Sequence, residues 1–320
     1  MTGAAGTKVV VLDDYQDVAR HFGPWEQLAD AIELTVVGDH IADTEELLAR
    51  LAGAHVIVAM RERTPFDRQR LERLTDLRLL VTTGMANTAI DMEAAKDLGI
   101  TVCGTASPPG PPAELTWALI LAITRNVCRE DQAVRAGGWQ HTIGPELEGR
   151  TLGVIGMGRL GSRVAAFGKA FGMRLLAWST NLDPAAAAAV GAEAVSKQTL
   201  LADADVVTLH LRLSDRTRGI IGAADLATMR PTAYLVNTSR GPLIDERALV
   251  QALRAGQIAG AGLDVFETEP LPLNHPLRCM PNVVVTPHLG YVSTGSYATY
   301  YREAVEDIAA WLAGSPVRVL

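Results

Sequence analysis

The stretch Thr151-Leu-Gly-Val-Ile-Gly-Met-Gly-Arg-Leu-Gly-Ser162 decides the fold of this chain. Its apolar beginning, residues 152–155, predicts a buried strand, and the small side chains that follow Ser162 predict a helix. Between the two stand three glycines that can turn the chain tightly. A strand, a glycine turn and a helix in direct succession are typical of a site that binds the phosphates of a dinucleotide.

Each glycine of the turn has its own predicted role. Gly156 makes the tight bend, Gly158 lets a pyrophosphate approach the backbone, and Gly161 lets the helix pack closely against the strand. Arg159 and Leu160 lie where the helix opens, so free N–H groups there would face the diphosphate. The same glycine spacing also occurs in ordinary turns, but its position between a strand and a helix favours the dinucleotide site.

Strands and helices alternate on both sides of this unit, which predicts an α/β fold with largely parallel sheets. The expected strands are residues 8–12, 34–37, 56–60, 77–81 and 100–103, and then 152–155, 174–178, 206–209, 233–237, 261–263 and 283–286. The expected helices include one that ends at residue 31, and residues 44–51, 91–98, 113–126, 129–136 and 296–312. Residues 107–112, Ser-Pro-Pro-Gly-Pro-Pro, are the strongest loop signal, and a domain crossing is expected near them.

Length and composition limit the class of protein. A chain of 320 residues favours two domains, and 48% hydrophobic against 20% charged residues supports a sizeable core. The formal net charge of −7 argues against general binding to nucleic acid or to an anionic membrane. A small anionic substrate stays possible, since a local pocket can be basic on an acidic protein.

The cysteines and the first residues of the chain bear on the cellular compartment and on whether a metal site is expected. Cys103, Cys128 and Cys279 lie far apart, so we expect buried thiols in a reducing compartment and no metal site. The first six residues lack the charged and apolar parts of a signal peptide. No apolar run reaches about 18 residues, the length that would suggest a membrane span. A soluble, cytoplasmic protein is expected.

Three further motifs carry a family resemblance. Residues 237–241 read Asn-Thr-Ser-Arg-Gly, residues 262–270 read Gly-Leu-Asp-Val-Phe-Glu-Thr-Glu-Pro, and residues 286–290 read Thr-Pro-His-Leu-Gly. In this order, after the glycine turn, they resemble the signatures of the D-isomer-specific 2-hydroxyacid dehydrogenases. Segments at 91–99 and 216–219 extend the resemblance, which covers most of the chain.

The resemblance implies two Rossmann-like or flavodoxin-like domains, one inserted into the other. An NAD(P)-binding domain, residues 105–291, would interrupt a substrate domain, residues 1–104 plus 292–320, which the last helix completes. It also implies a homodimer formed through the nucleotide domain, with residues 113–136 as an exposed apolar arm. Opening and closing of a cleft between the domains would control access of water and substrate.

Reduction of a 2-keto acid needs a hydride, a proton and a cation for the carboxylate, and the resemblance assigns residues to the last two tasks. Arg240 would clamp the carboxylate and carbonyl oxygens with its planar guanidinium. His288, an imidazole that titrates near neutrality, would be general acid in reduction and general base in oxidation. Glu269 would orient the ring and favour the imidazolium, although Glu267 is a competing carboxylate.

Other residues are expected beside the cofactor. Asp264 would lie near the nicotinamide, Thr238 and Ser239 near its ribose or amide, and His210 after the strand 206–209. The motif ends at Gly290, which we also assign to the cofactor site. For each of these residues, local capping or turn bonding is the alternative interpretation.

The choice between NAD and NADP stays open. An NAD enzyme usually has an acid at the end of its second nucleotide-domain strand, but residues 178–181 read Trp-Ser-Thr-Asn, which puts Ser179 at that point. Arg212, near His210, could attract a 2′-phosphate or be a solvated loop residue. Both cofactors are therefore expected equally.

The substrate loop is unusual for the family. Residues 83–91 read Thr-Gly-Met-Ala-Asn-Thr-Ala-Ile-Asp, and backbone N–H groups near Gly84, Met85 and Ala86 are expected to bind a carboxylate. Arg61 and Arg63 either face the cleft or lie on the surface.

Several functions remain open. Activity like that of phosphoglycerate dehydrogenase or of glyoxylate and hydroxypyruvate reductases is possible within the class. The alternative class is a dinucleotide-sensing, corepressor-like interaction protein, because a fold does not fix function.

Overall fold

The computed structural model of the protein describes residues 6–320. They form two compact units, and the chain passes from one to the other after Pro108 and again after Val292. The first unit therefore contains the residues up to Pro108 and Ser293–Leu320, and the second is Pro109–Val292. The predicted α/β class, with one unit inserted into the other, is confirmed. Residues 1–5, which entered the argument about a signal peptide, lie outside the described residues.

The first unit is built on a five-stranded parallel sheet with the order β2-β1-β3-β4-β5. Its strands are β1 (Thr7–Val11), β2 (Ile32–Val36), β3 (Val56–Ala59), β4 (Leu79–Thr82) and β5 (Thr101–Gly104). β3 and β4 are buried along their whole length. Such continuous apolar strands are expected where both faces of a parallel sheet are covered.

Three helices of the first unit start at aspartate caps. The helices of this unit are α1 (Ala19–Phe22), α2 (Thr44–Leu51), α3 (Arg68–Arg73), α4 (Met92–Asp97) and α12 (Thr294–Leu312), with a 3₁₀ turn at Trp25–Leu28. The carboxylates of Asp43, Asp67 and Asp91 each accept the backbone N–H three residues ahead, at 2.8 to 2.9 Å. These bonds satisfy N–H groups that have no partner within the helix. The sequence did not predict α3, and the helix expected to end at residue 31 is only α1 and the 3₁₀ turn.

The second unit carries a seven-stranded parallel sheet with the order β12-β11-β10-β9-β6-β7-β8. Its strands are β6 (Thr151–Ile155), β7 (Arg174–Trp178), β8 (Glu193–Ala194), β9 (Val206–Leu209), β10 (Tyr234–Asn237), β11 (Gly260–Leu263) and β12 (Val283–Val285). Its helices are α5 (Gly110–Thr124), α6 (Val127–Arg135), α7 (Arg159–Ala170), α8 (Pro184–Ala189), α9 (Lys197–Asp203), α10 (Ala223–Thr228) and α11 (Glu246–Arg254). Short 3₁₀ turns lie at Gly241–Leu243 and Pro276–Arg278. Apart from the two-residue β8, the strands lie close to their predicted positions.

The proline-rich segment is not entirely a loop. Helix α5 begins at Gly110, so Pro111 and Pro112 form its first turn. Proline is tolerated there because the N–H groups of a first turn have no partner within the helix. Asn126, with φ of +53°, separates α5 from α6.

The expected exposed arm, residues 113–136, is only half exposed. Ala113, Trp117, Leu119 and Ile120 of α5 are buried, because this helix packs against β10, β11 and α7. α6, in contrast, buries none of its residues. The large apolar side chains exposed on α6 and in the segment that follows it are Val127, Val134, Trp139 and Ile143, and we call these four residues the α6 surface.

The three cysteines differ in their exposure. Cys103 is buried as expected, whereas Cys128 and Cys279 are exposed: Cys128 lies on α6, which buries none of its residues, and Cys279 follows the 3₁₀ turn Pro276–Arg278. Within residues 6–320 no helix is long and apolar enough to cross a membrane.

Candidate active site

The glycine turn after β6 is crowded at two positions and open at one. Gly156 has φ of +98°, and a Cβ atom there would stand 2.7 Å from the carbonyl group of His210. A Cβ at Gly161 would overlap the carbonyl oxygen of Gly156. At Gly158 it would meet no atom of residues 6–320 within 4 Å, chain neighbours aside. Space for a ligand therefore lies over Gly158.

The first turn of α7 offers N–H groups to that space. The helix begins at Arg159, and Ser162 N donates to Gly158 O at 2.9 Å. The N–H groups of Arg159, Leu160 and Gly161 precede this bond, so the helix has no carbonyl for them. They also lie at the positive end of the helix dipole. These residues therefore fit a diphosphate.

The end of β7 lacks an acid for a ribose hydroxyl. The half-buried Ser179 follows the strand, and the next acid, Asp183, instead caps α8 by accepting Ala185 N at 2.9 Å. Arg212 is exposed, and its carbonyl accepts the hydroxyl of Thr217 at 2.7 Å. Nothing in the described part of the chain pairs with the Arg212 guanidinium.

His210 is a neutral imidazole next to the glycine turn. Its Nε2 lies 3.0 Å from the hydroxyl oxygen of Thr208, and its Nδ1 is shielded from solvent with no hydrogen-bond partner among residues 6–320. Burial lowers the pKa of His210 to about 3. Without a carboxylate beside it, this ring cannot hold a proton at neutral pH.

The hydroxyl groups after β10 make internal bonds. Thr238 Oγ1 lies 2.7 Å from Thr116 Oγ1 of α5, and Ser239 Oγ donates to Leu209 O at 2.7 Å. These bonds tie the end of β10 to α5 and to β9. The local-bonding interpretation therefore describes both side chains in this structure, and a contact of either with a cofactor stays a prediction.

The turn that carries Arg240 is shaped by Asn237. The Asn237 side chain accepts Ser239 N at 3.0 Å and donates to Arg240 O at 2.8 Å. Arg240 Nη1 donates to Ser239 O at 2.6 Å. A Cβ at Gly241 would overlap the carbonyl of Phe266, so glycine lets this turn lie directly against the loop after β11.

That neighbouring loop carries Glu269, which contacts His288. Glu269 Oε2 lies 2.6 Å from His288 Nδ1, and Glu269 Oε1 accepts Phe266 N at 2.9 Å. The Glu269 side chain is 32% exposed and the His288 side chain is 19% exposed. The competing carboxylate, Glu267, points to Arg218 instead, at 3.4 Å.

The protonation of this pair follows from the surroundings of Glu269. Burial raises the pKa of Glu269, but the hydrogen bond and charge of His288, the Phe266 N–H and the charge of Arg240 outweigh it, so the pKa lies below its ordinary value. An ionised carboxylate only accepts hydrogen bonds. His288 must therefore donate from Nδ1, which leaves Nε2 to exchange a proton with a ligand.

Asp264 lies under the loop of His288 and is fully buried. Its Oδ1 accepts the Thr286 hydroxyl at 2.6 Å and Leu289 N at 2.7 Å, and its Oδ2 accepts Gly290 N at 2.9 Å. Burial raises the pKa of Asp264, while these three bonds and the charge of His288 oppose the rise. The N–H group of Gly290, expected at the cofactor, is thus used inside the protein.

Two residues that shape the site were not singled out in the sequence. Asn237 sets the turn of Arg240, and Tyr291 places its ring edge against His288 with centroids 5.5 Å apart. An asparagine at a strand end followed by small polar residues is a turn signal that could have identified Asn237. No local pattern indicates Tyr291.

The substrate loop of the first unit follows β4. Gly84 has φ of +104°, and its N–H donates to the hydroxyl of Thr105 at 2.9 Å. The Arg61 guanidinium fills the place where a Cβ of Gly84 would lie. Met85 and Ala86 are exposed. An anion could therefore meet the N–H groups of these two residues, whereas that of Gly84 is already bound.

The two arginines after β3 are not solvated surface residues. Arg61 Nη1 donates to Thr83 O at 2.8 Å. Arg63 Nη1 donates to Asp13 O at 2.8 Å, and its guanidinium lies 4.2 Å from the ring centre of Tyr15. Both side chains are held against the strand ends of their own unit.

Comparison with known proteins gives a consistent result. Residues 117–290 match the family model described as D-isomer specific 2-hydroxyacid dehydrogenase, NAD binding domain. The chain is 43% identical over 257 residues to a glyoxylate reductase of Aeropyrum pernix, which is 76% of each chain.

Solved structures resemble the whole chain. A phosphoglycerate oxidoreductase of Vibrio cholerae matches with a TM-score of 0.92 at 39% identity and covers 97% of this chain and 100% of that one. An acyclic imino acid reductase, solved with NADPH and D-Arg, matches with a TM-score of 0.77 at 27% identity, covering 98% and 99%.

Proposed function

This chain belongs to the D-isomer-specific 2-hydroxyacid dehydrogenases, NAD(P)-dependent oxidoreductases that interconvert 2-keto acids and D-2-hydroxy acids, and we propose that Arg240, Glu269 and His288 perform its chemistry. The observation that carries this proposal is the 2.6 Å contact between Glu269 and His288, near the turn of Arg240. The corepressor-like alternative is not favoured, because the relatives are named as reductases and dehydrogenases.

His288 is the proposed general acid and base. Its Nδ1 is committed to the ionised Glu269, so Nε2 gives a proton to the carbonyl oxygen during reduction and takes it from the hydroxyl during oxidation. Glu269 holds the ring in place and stabilises the imidazolium that must exist before the proton is given. The short contact supports both roles.

Arg240 is the proposed clamp for the substrate carboxylate. Its backbone is fixed by the Asn237 side chain, and its charge acts on Glu269. A guanidinium can hold two oxygens in one plane, which would orient the carboxylate and carbonyl together. The keto carbon would then face one direction, as directional transfer requires.

The cofactor is NAD or NADP, and we propose that the glycine turn and the start of α7 hold its diphosphate. When bound, the dinucleotide supplies the hydride. Ser179 and Arg212 lie in the loops assigned to its adenosine half, and the missing acid after β7 leaves NADP as acceptable as NAD. His210, Thr238, Ser239, Asp264 and Gly290 stay proposed members of this site.

The first unit is the proposed substrate domain and the second the nucleotide domain. Gly84, Met85 and Ala86 belong to the loop proposed to meet the carboxylate, with open N–H groups at the latter two. The substrate class is a small 2-keto acid of the kind reduced by relatives named glyoxylate reductase or phosphoglycerate oxidoreductase.

We also propose a cytoplasmic homodimer. The α6 surface supports a partner, because Trp139 and Ile143 are 75% and 100% exposed. Large apolar side chains so open to water are typical of protein interfaces. Sedimentation at several protein concentrations tests this proposal, and a Trp139→Ser, Ile143→Ser variant is expected to sediment as a monomer.

The catalytic proposal is tested by following oxidation of NADH and NADPH by absorbance. The substrates are glyoxylate, hydroxypyruvate, pyruvate, phenylpyruvate, oxaloacetate and phosphohydroxypyruvate. Wild-type protein should turn over at least one of them. His288→Ala should lower turnover roughly 100-fold or more and leave cofactor binding intact, whereas His21→Ala, an exposed histidine of the first unit, should match wild type. Unchanged turnover of His288→Ala would remove His288 from the mechanism.

A further inference from the structure

The loop that carries His288 is held in place by hydrogen bonds to one buried side chain, that of Asp264. Asp264 receives the Thr286 hydroxyl and the N–H groups of Leu289 and Gly290, at 2.6 to 2.9 Å. Its backbone carbonyl also accepts His288 N at 2.9 Å. The donors to the Asp264 carboxylate lie both before and after His288 in the chain, so Asp264 fixes the backbone on both sides of this residue.

His288 needs such support because of its backbone. Its φ is +55°, in the left-handed region that a residue with a Cβ rarely occupies. A conformation of this kind costs about 1–2 kcal/mol and persists only where the surroundings enforce it. The groups that enforce it here are the carboxylate and the carbonyl of Asp264.

We propose that Asp264 is the positioning residue of His288: by binding Thr286, Leu289 and Gly290, its carboxylate fixes the left-handed turn that aims the imidazole at Glu269. This inference rests on the proposed function only for its effect on turnover. The positioning itself is a property of the protein without substrate or cofactor.

The sequence predicts a place beside the cofactor for Asp264, and the two roles predict different results. Asp264 Oδ1 already accepts two donors and Oδ2 accepts one, so most of the carboxylate is used inside the protein. A residue whose main role is to contact the cofactor would affect cofactor affinity first. A positioning residue would affect the His288 ring first.

Asp264→Asn is the informative change. An asparagine keeps the size of the side chain but has one accepting oxygen, and its amide group would face either Gly290 N or the donors at Thr286 and Leu289. The variant must therefore lose either the hydrogen bond from Gly290 N or those from Thr286 and Leu289. Thr286→Val removes one donor at nearly constant shape, and Thr286→Ser, which keeps the hydroxyl, is its matched control.

The experiment is ¹⁵N NMR of histidine-labelled protein without cofactor or substrate, with His288→Gln used to assign the ring signals. In wild type and Thr286→Ser we expect a protonated, hydrogen-bonded Nδ1. In Asp264→Asn, and partly in Thr286→Val, we expect loss of that signal. Glu269→Gln, which changes the ring's direct partner, provides the reference for a perturbed ring.

Cofactor titration and kinetics of the same variants complete the test. Asp264→Asn should lose about 100-fold in kcat, the order expected for a displaced catalytic group, with a much smaller loss of affinity for NADH or NADPH. His288 ring signals that stay unchanged in both Asp264→Asn and Thr286→Val would overturn the proposal. If Asp264→Asn kept the wild-type ring signals but bound NADH or NADPH more weakly, Asp264 would be assigned to the cofactor site instead. If wild type reduced no keto acid, the proposed function would fail, while the NMR result would still decide the role of Asp264.

Discussion

The two parallel sheets reverse their strand order at equivalent points, but side chains fill this point in the first unit and glycines leave it open in the second. In the first unit the reversal lies between β1 and β3, and in the second between β6 and β9. Ligands of open α/β sheets bind at such points, beyond the carboxyl ends of the strands. The same rule therefore nominates one site in each unit.

In the first unit, side chains fill the reversal point. Asp13, which follows β1, is 1% exposed and has φ of +57°. Its carboxylate accepts the Thr64 hydroxyl at 2.7 Å and lies 3.2 Å from His40 Nδ1, while its carbonyl accepts Arg63. These contacts close the position to a ligand.

In the second unit, glycines keep the reversal point open. Gly156 lies against the backbone of His210, and Gly158 borders open space. Topology thus specifies where a ligand could bind, whereas the side chains after the first strand decide whether a ligand can enter that position.

Gly161→Ala should disrupt the open turn most strongly. The new Cβ would overlap the carbonyl oxygen of Gly156, which belongs to the backbone and cannot rotate away. We expect a loss of about 3 kcal/mol in the free energy of unfolding and no measurable NADH or NADPH binding. Chemical denaturation and a fluorescence titration measure the two effects.

The control for that change is Gly295→Ala in the first turn of α12, where a Cβ would have no neighbour within 4 Å among the described residues. It should be neutral or stabilise by up to about 1 kcal/mol. Equal losses in the two variants would mean that crowding at Gly161 is not the cause.

Asp13→Ala should damage the closed reversal point and spare the open one. It removes the carboxylate that accepts the buried Thr64 hydroxyl and lies against His40 Nδ1, so we expect a loss of about 2 kcal/mol. Cofactor affinity of the second unit should not change. Asp13→Asn, which tolerates the left-handed backbone, should cost less, and a drop in cofactor affinity would show that the two points are not independent.

Gly158→Ala should separate binding from folding. Because its Cβ would enter open space, the stability should stay within about 0.5 kcal/mol of wild type. Cofactor affinity should fall about tenfold, or about 1.4 kcal/mol, because the methyl group would occupy the path of the diphosphate. Unchanged affinity would contradict the assignment of that space to the cofactor.

Two buried groups should give the units opposite responses to pH. Burial lowers the pKa of His210 to about 3, so the second unit should lose stability as the pH falls below about 6.5, where the unfolded histidine takes up a proton. Burial raises the pKa of Asp307, in α12, to about 7. The first unit should therefore lose stability as the pH rises from about 4 to 7, where only the unfolded carboxyl has lost its proton.

The expected slope for each group is at most about 1.4 kcal/mol per pH unit. Hydrogen exchange measured separately on peptides of each unit would report it. His210→Gln should flatten the acid side for the second unit, and Asp307→Asn the neutral side for the first. The exposed Asp215→Asn should change neither, and identical profiles in all variants would exclude both groups as the cause.

Local patterns were sufficient for the elements and for the glycine turn. The apolar runs of β6, β7 and β9 are continuous in sequence, so their strands could be predicted within a residue or two. The start of α5 could not, because a proline signals a loop and a first helical turn equally well. The predicted exposure of residues 113–136 was also wrong in part, because α5 is buried by its packing against the sheet and no local pattern shows that contact.

Within the candidate site, the sequence supplied candidates and the structure supplied their partners. A histidine motif and two nearby carboxylates left Glu267 and Glu269 as competitors, and the folded loop puts Glu269 at His288 and Glu267 at Arg218. The N–H group of Gly84 was predicted to bind substrate, yet it is bound by Thr105, twenty-one residues away in sequence. Such bonds leave no local signature.

Sequence patterns alone were enough to identify the α/β class, the order of the strands along the chain, the family and the chemical types available for catalysis. Strand formation and tight turns depend on neighbouring residues, so their record is local. Tertiary structure alone decided that one reversal point is filled and the other open, and that Asp264 bonds on both sides of His288. Those outcomes depend on buried polar groups finding partners, and the partners come from distant parts of the chain.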